Sequence, residues 1–329
     1  MKPSPKGLVA TFMAVSSVNT PTRRMLCRRT QDTYLGWMRA FYRYVQRPAT
    51  EWTGEMVQHW LWHLHTERYA HRSRQQALCA VVYVFRHVLG KDMGTLNLPS
   101  APKQQPTLRI IPSRQELGRI FAGLQGQSRL MAGIMYGAGL RVMETCTLRV
   151  KDIDLDTNTI RVHSGKGDKD RLCLLPQNLR DALKRQLASR AALHDNDLAQ
   201  GAGIVDLPGR YGTKSPAAAR DLRWQFLFPS TMLRGQRRWH VTPEAIQKAL
   251  RIAVKASGIT KLVTPHTLRH AYCTHSLRAG NDIATVKDRM GHDSLETTAI
   301  YAHADQAQGV SPLDVPDRLV TARSNSLVV

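Results

Sequence analysis

The chain has 329 residues, enough for about two domains with a substantial core, and carries a formal net charge of +22 with a sequence pI near 10.4. The charge is +10 over the first 105 residues and +12 over the rest, so it is no mere tail, and a basic surface on both parts points to a polyanion, most simply nucleic acid. No stretch approaches the roughly 20 apolar residues of a membrane span, no signal-peptide pattern opens the chain, and Cys27, Cys79, Cys146, Cys173 and Cys273 lack any Cys-x-x-Cys and read as reduced thiols; a cytoplasmic protein without membrane contact is expected.

Residues 1–20, polar and carrying Pro and Ser, are expected to form a flexible lead. Arg23, Arg24, Arg28 and Arg29 then arrive almost together, a cluster that suits phosphate contact as well as a solvated face. Over 31–46 the residues Tyr34, Leu35, Trp37, Met38, Phe41, Tyr42 and Val45 recur at helical spacing. Residues 52–67 repeat the pattern with Met56, Val57, Trp60, Leu61 and Leu64, and Ser73 can cap a third helix running through Leu78, Val81, Phe85 and Val88 to Gly90. This predicts a helical bundle over 21–98. Trp37, Trp52 and Trp60 fit its apolar core, whereas Trp62 lies off the stripe and suits an exposed contact. Pro99, Pro102, Pro106 and Pro112, with Lys103 and Arg109 among them, mark an extended linker over 99–112. A second domain then occupies 113–329.

Ser113 caps a helix through Leu117, Ile120 and Leu124, and a second helix carries Leu130, Ile134 and Met135. Gly137-Ala138-Gly139-Leu140-Arg141 permits a tight bend that presents Arg141 at the start of the next helix, with Glu144 one turn on; a plain surface ion pair between the two is the bland alternative. Three short runs around Ile153-Asp154-Leu155, Thr159-Ile160-Arg161-Val162 and Leu172-Cys173-Leu174-Leu175 predict a three-stranded antiparallel meander. Its second turn, Gly165-Lys166-Gly167-Asp168-Lys169, is not a nucleotide loop, because the Gly-x4-Gly-Lys-Ser/Thr spacing is absent.

Thr264-Pro265-His266-Thr267-Leu268-Arg269-His270 is the most informative run. Thr264 is a natural N-cap and Pro265 a natural first helical residue, so His266 falls in the first turn, where free N–H groups favour an anion. Arg269, three residues on, shares that face, and the pair can grip a phosphate. His266 and His270 have zinc-ligand spacing, yet no acidic residue sits between them and Arg269 would repel a cation. Gly280 and Gly291 stop the next two helices, His292 sits on a corner, and Ser294 caps a last short helix ending near Tyr301, whose phenol is a candidate nucleophile.

The ordered set His266-x-x-Arg269, Gly291-His292 and Tyr301 resembles the signature of the tyrosine recombinases. The resemblance implies a mainly α (α+β) fold: an N-terminal helical bundle and a tyrosine-recombinase-like catalytic domain with a small antiparallel three-stranded sheet, closing on DNA as a clamp. It implies Tyr301 as nucleophile on a DNA phosphate, Arg141 and Arg269 on its non-bridging oxygens, Lys166 as general acid (Lys169 the fallback), His266 in proton transfer and His292 on the phosphate. Neither a metal nor another cofactor is implied. Lys166 and His266 are 100 residues apart, and the interval, with Trp224-Gln225-Phe226-Leu227-Phe228-Pro229, resembles the integron integrases, which carry an extra insertion, here about 190–240, before such a strand. By that match Trp224, Trp239 and His240, with Arg237 and Arg238 beside them, are candidate contacts to bases flipped out of folded single-stranded cassette sites. Many relatives have His-His where this chain has Trp239-His240. The segment 302–329 holds too few apolar residues for its own core, and the resemblance implies that it docks on a neighbouring subunit in a tetramer on two DNA sites.

Overall fold

The apolar spacing of the first hundred residues forms the helices it predicts, with one more ahead of them. The computed structural model describes residues 5–18, 25–98, 110–163, 170–209 and 211–291, and the chain divides into two units between Gln105 and Pro106. In the first unit, α1 (Pro5–Ser16), α2 (Arg28–Val45), α3 (Gly54–Thr66) and α4 (His71–Val84) are followed by a π turn, Phe85–Leu89, which Gly90 ends in the left-handed conformation. Phe41, Trp52, Trp60 and Phe85 are buried together, the Phe41 ring lying 4.8 Å from Trp52 and 5.1 Å from Trp60. Trp62 is 43 % exposed.

The first helix corrects the expected flexible lead. Leu8 and Phe12, one turn apart, are both buried in this core, with Phe12 edge-on to Tyr83 at 5.9 Å. Two large apolar side chains on one helical face, each contributing about 1.5–3 kcal/mol on burial, favour docking of this segment on the core. Ser73 is likewise not a cap, since α4 begins two residues earlier, after Ala70.

The second unit opens with α5 (Arg114–Ala122), whose N-terminus is closed by reciprocal hydrogen bonds between Ser113 and Glu116. It continues through α6 (Gly126–Gly137), α7 (Val142–Cys146), β1 (Ile153–Asp154), β2 (Thr159–Val162), β3 (Arg171–Leu174), α8 (Arg180–Ala199) and α9 (Tyr211–Lys214), then β4 (Pro229–Arg234), β5 (Arg237–His240), α10 (Pro243–Ala256), α11 (Pro265–Arg278) and α12 (Ile283–Met290). The sheet β1-β2-β3 is the expected antiparallel meander, with Ile160 opposite Cys173 and Val162 opposite Arg171. A second sheet, the hairpin β4-β5, was not expected. Trp224 ends a short 3-10 turn, Leu222–Trp224, with Gln225 after it as the cap, and Leu227 N–H donates to Leu148 O at 2.8 Å. Among the described residues no helix is long and apolar enough to cross a membrane.

Helix α11 packs along α6 and is buried from Leu268 to His275. A helix enclosed on nearly all sides needs no polar face, and it holds Arg269 and His270 in the interior. Ile120, Ile134, Leu140, Ile160, Leu183 and Phe228 are fully buried in the core shared by this unit.

Candidate active site

Helix α11 starts as its sequence dictates: Thr264 accepts from Thr267 N–H at 3.2 Å and Pro265 takes the first helical position. The common face expected for His266 and Arg269 divides by depth. His266 is exposed beside a cleft of about 470 Å³ that Lys261, Leu262 and His270 also line, its ring 4.4 Å from that of His270. Arg269 is only 2 % exposed. Its guanidinium donates to the carbonyls of Gly139 and Met290, tying the bend before α7 to the end of α12. Burial draws its pKa down to about 10, the charges of Arg141 and Arg171 adding to this and Glu144 opposing it.

Gly139 has φ +71° and an added Cβ would lie 2.5 Å from the Tyr272 ring, so glycine is required where the chain turns toward Arg141. Arg141 is the N-cap of α7. Its backbone N–H donates to Glu144 Oε2 at 2.7 Å, its Nη1 to Glu144 Oε1 at 2.7 Å and its Nη2 to Gly291 O at 3.2 Å. The pairing with Glu144 is therefore real but lies inside a larger cluster, not on the surface. Gly291 ends α12 in the left-handed conformation, and a Cβ there would press on the Arg171 side chain at 3.2 Å.

Arg171, which sequence reasoning passed over, completes the cluster. It donates to Glu144 Oε1 at 3.0 Å and Oε2 at 2.6 Å, and its Nε donates to Arg289 O at 2.9 Å. Burial alone would raise the Glu144 carboxyl; the hydrogen bonds and charge of Arg171, joined by those from Arg141, outweigh it and hold it at about 2. The contribution of this carboxylate to stability is in place above the unfolded value of about 4.3 and is lost as pH falls toward 2. Three guanidiniums around one carboxylate leave surplus positive charge in a poorly hydrated place, an environment suited to a phosphate. Leu172 and Leu174 are exposed while Arg171 and Cys173 turn inward. The strand alternation was the available signal for Arg171, hidden because the apolar run looked like the inward face.

Lys166, Lys169, His292, Tyr301, Arg23, Arg24 and the segment 302–329 lie outside the described residues. Arg28 and Arg29 open α2 and are exposed, Arg28 at 3.6 Å from Asp32.

The interval 190–240 is held by buried polar groups. Arg190, 1 % exposed, donates to Phe226 O at 3.0 Å and Gln225 Oε1 at 2.9 Å, and Gln225 in turn donates to Gly203 O and Ala219 O. Arg238 corrects its expected place among surface DNA contacts. It is 6 % exposed, forms two bonds to the carboxylate of buried Asp197 and donates to Ser230 O and Thr231 O. His240 is also buried, with Nδ1 2.7 Å from Val241 O. Alternation along β5 puts Arg238 and His240 on one inward face and leaves Arg237 outside, 3.3 Å from Asp206. Trp239 is half-buried against Phe226. Trp224 is half-buried, with Lys151 Nζ 4.5 Å from its ring centroid and Tyr211, 41 % exposed, at 4.8 Å. Asp197→Ala leaves Arg238 buried and uncompensated, so it is expected to cost about 3–5 kcal/mol in urea unfolding of this unit. A loss below about 1 kcal/mol, the range of an exposed pair, would contradict the buried assignment.

Comparison with known proteins matches residues 114–308 to the phage integrase family and residues 18–95 to the phage integrase N-terminal SAM-like domain. An integrase/recombinase of Escherichia coli is 38 % identical over 306 residues, 90 % of this chain and 91 % of its own. The tyrosine recombinase XerA of Thermococcus kodakarensis is 31 % identical over 265 residues, 79 % of this chain and 82 % of its own. Among solved structures, the XerH site-specific recombinase bound to a palindromic difH substrate covers 93 % of this chain and 95 % of its own with a TM-score of 0.61 at 17 % identity, a likeness of fold. With its helical first unit, its small meander and its guanidinium cluster, and with relatives matched along most of its length, the chain belongs to the phage integrase family of tyrosine recombinases, enzymes that cut and rejoin DNA.

Proposed function

We propose that this recombinase is of the integron integrase type and integrates or excises gene cassettes at folded single-stranded sites. In the proposed step the Tyr301 phenol oxygen attacks the scissile phosphorus while the bond to the 5′ oxygen breaks. Lys166 supplies the proton to that leaving oxygen, and the phenol proton passes to a base, with His266 assisting. Arg141 and Arg269 hold the non-bridging oxygens as charge builds on them, and His292 hydrogen-bonds the phosphate. The 3′-phosphotyrosyl link retains the phosphoester energy, so rejoining by a second 5′ hydroxyl needs neither nucleotide nor metal. Four subunits act on two sites, with the segment 302–329 of each docked on a neighbour. Such a heterologous contact closes into a ring when its rotation permits.

The observation that carries the cassette-site reading is the interval 190–240. Its buried frame of Arg190, Gln225, Asp197 and Arg238 accompanies Trp224 and Tyr211, which stay partly open beside Lys151 and Arg149. Exposed aromatic rings among cations are what unpaired bases stack upon. A duplex-acting enzyme is the second reading, favoured by the 31 % identical XerA. Band shifts of the full chain with a folded single-stranded cassette site and with its duplex separate the two. Binding of the folded strand at least about tenfold tighter is expected, a preference of the size that one stacked base contributes. Equal or tighter duplex binding would establish the second reading. Trp224→Ala should remove most of the preference.

A further inference from the structure

Arg171 opens β3, opposite Val162 of β2, five residues after Lys166 in the sequence. Its side chain is 9 % exposed and reaches both oxygens of Glu144 in a two-pronged fork. Arg141 approaches the same carboxylate at 2.7 Å, whereas Arg269 stays 3.8 Å away. We propose that Arg171 is a positioning residue for strand cleavage: by neutralising Glu144 it keeps Arg141 and Arg269 available to the phosphate.

The argument is one of charge and geometry, and it rests on the roles given above to Arg141, Arg269 and Tyr301. Three guanidiniums against one carboxylate leave a surplus of two positive charges. Attack on a phosphodiester produces a transition state approaching two negative charges on the non-bridging oxygens, which that surplus matches. Without Arg171 the surplus falls to one, and Glu144 Oε2 loses its closest partner. The nearest replacement is Arg269, which the carboxylate would then draw in from 3.8 Å, away from a phosphate. Arg171 also donates to Arg289 O, immediately before the Met290 and Gly291 carbonyls that Arg269 and Arg141 hold. Its fork therefore fastens β3, α7 and the end of α12 to one carboxylate.

The test is single-turnover covalent capture on a nicked suicide substrate, alongside band-shift affinity, for the full-length wild type, Arg171→Gln and Arg171→Lys. Arg171→Gln is expected to cleave about 100-fold more slowly, a loss typical of weakened charge stabilisation, with DNA affinity within about threefold, and Arg171→Lys to recover part of the rate. Replacing the scissile phosphate by a methylphosphonate removes one negative charge, so the defect of Arg171→Gln should shrink on that substrate. A purely architectural role would leave it the same size. Should Arg171→Gln fail to fold, as judged by thermal melting, the comparison of Arg171→Lys with wild type on the two substrates carries the test. A defect unchanged on the methylphosphonate, or Arg171→Gln cleaving as fast as wild type, overturns this inference alone; a wild type that forms no adduct at Tyr301 overturns the roles given above and this inference with them.

Discussion

Tyr301→Phe is expected to leave DNA affinity unchanged and to abolish covalent capture on a suicide substrate nicked beside the scissile phosphate. Only one hydroxyl is lost, and it is the atom that would form the bond to phosphorus. The aromatic ring and every basic residue of the chain remain. Removal of a covalent nucleophile lowers turnover by about 10⁶-fold in enzymes where it has been isolated, so no adduct should be detectable within the assay. The mutant should still shift the same DNA band at the same protein concentration. Adduct formation as rapid as wild type would remove Tyr301 from the reaction and place the nucleophile elsewhere.

Arg269→Lys is expected to cleave about 10²–10³-fold more slowly, close to Arg269→Ala, because loss of one charge-stabilising donor set has that size. The usual argument is that lysine keeps the charge but loses the planar fork. The structure adds a second reason. The Arg269 guanidinium bridges the Gly139 and Met290 carbonyls from a position 2 % exposed to solvent, and one ammonium cannot span both. Lysine therefore loses the fork proposed for the phosphate and also slackens the two segments that hold Arg141 and Gly291. Single-turnover cleavage with thermal melting as a control checks this, and wild-type rates in the lysine variant would refute it.

Much of the site was legible because its signals are local. The cap at Thr264, the proline after it and the glycine that ends α12 act through their own backbone angles and immediate neighbours. The three short strands of the meander follow from their local alternating and apolar runs. Arg171 and Arg238 were misjudged or missed for one common reason. Each is a charged residue on the inward face of a short strand, and burial of a charge depends on a partner distant in sequence: Glu144 for the first, Asp197 for the second. Helix α1 escaped in the same way, since Leu8 and Phe12 form a persuasive face only once Tyr83 and its neighbours are there to receive it.

Sequence alone determined the basic charge of both halves, the helical first unit and three-stranded meander, and the ordered motif from His266 to Tyr301 that marks the family. These rest on composition, periodicity and spacing, which are properties of a chain read in order. Only the tertiary structure decided which of the basic residues face solvent and which are enclosed. It placed Arg269 in the interior and made Glu144 the shared partner of Arg141 and Arg171. It also turned Arg238 and His240 inward while leaving Arg237 outside. A guanidinium on the surface and one in the core look the same in a sequence. What separates them is desolvation and the carboxylate or carbonyl brought opposite by folding, and those partners lie tens to more than a hundred residues away along the chain.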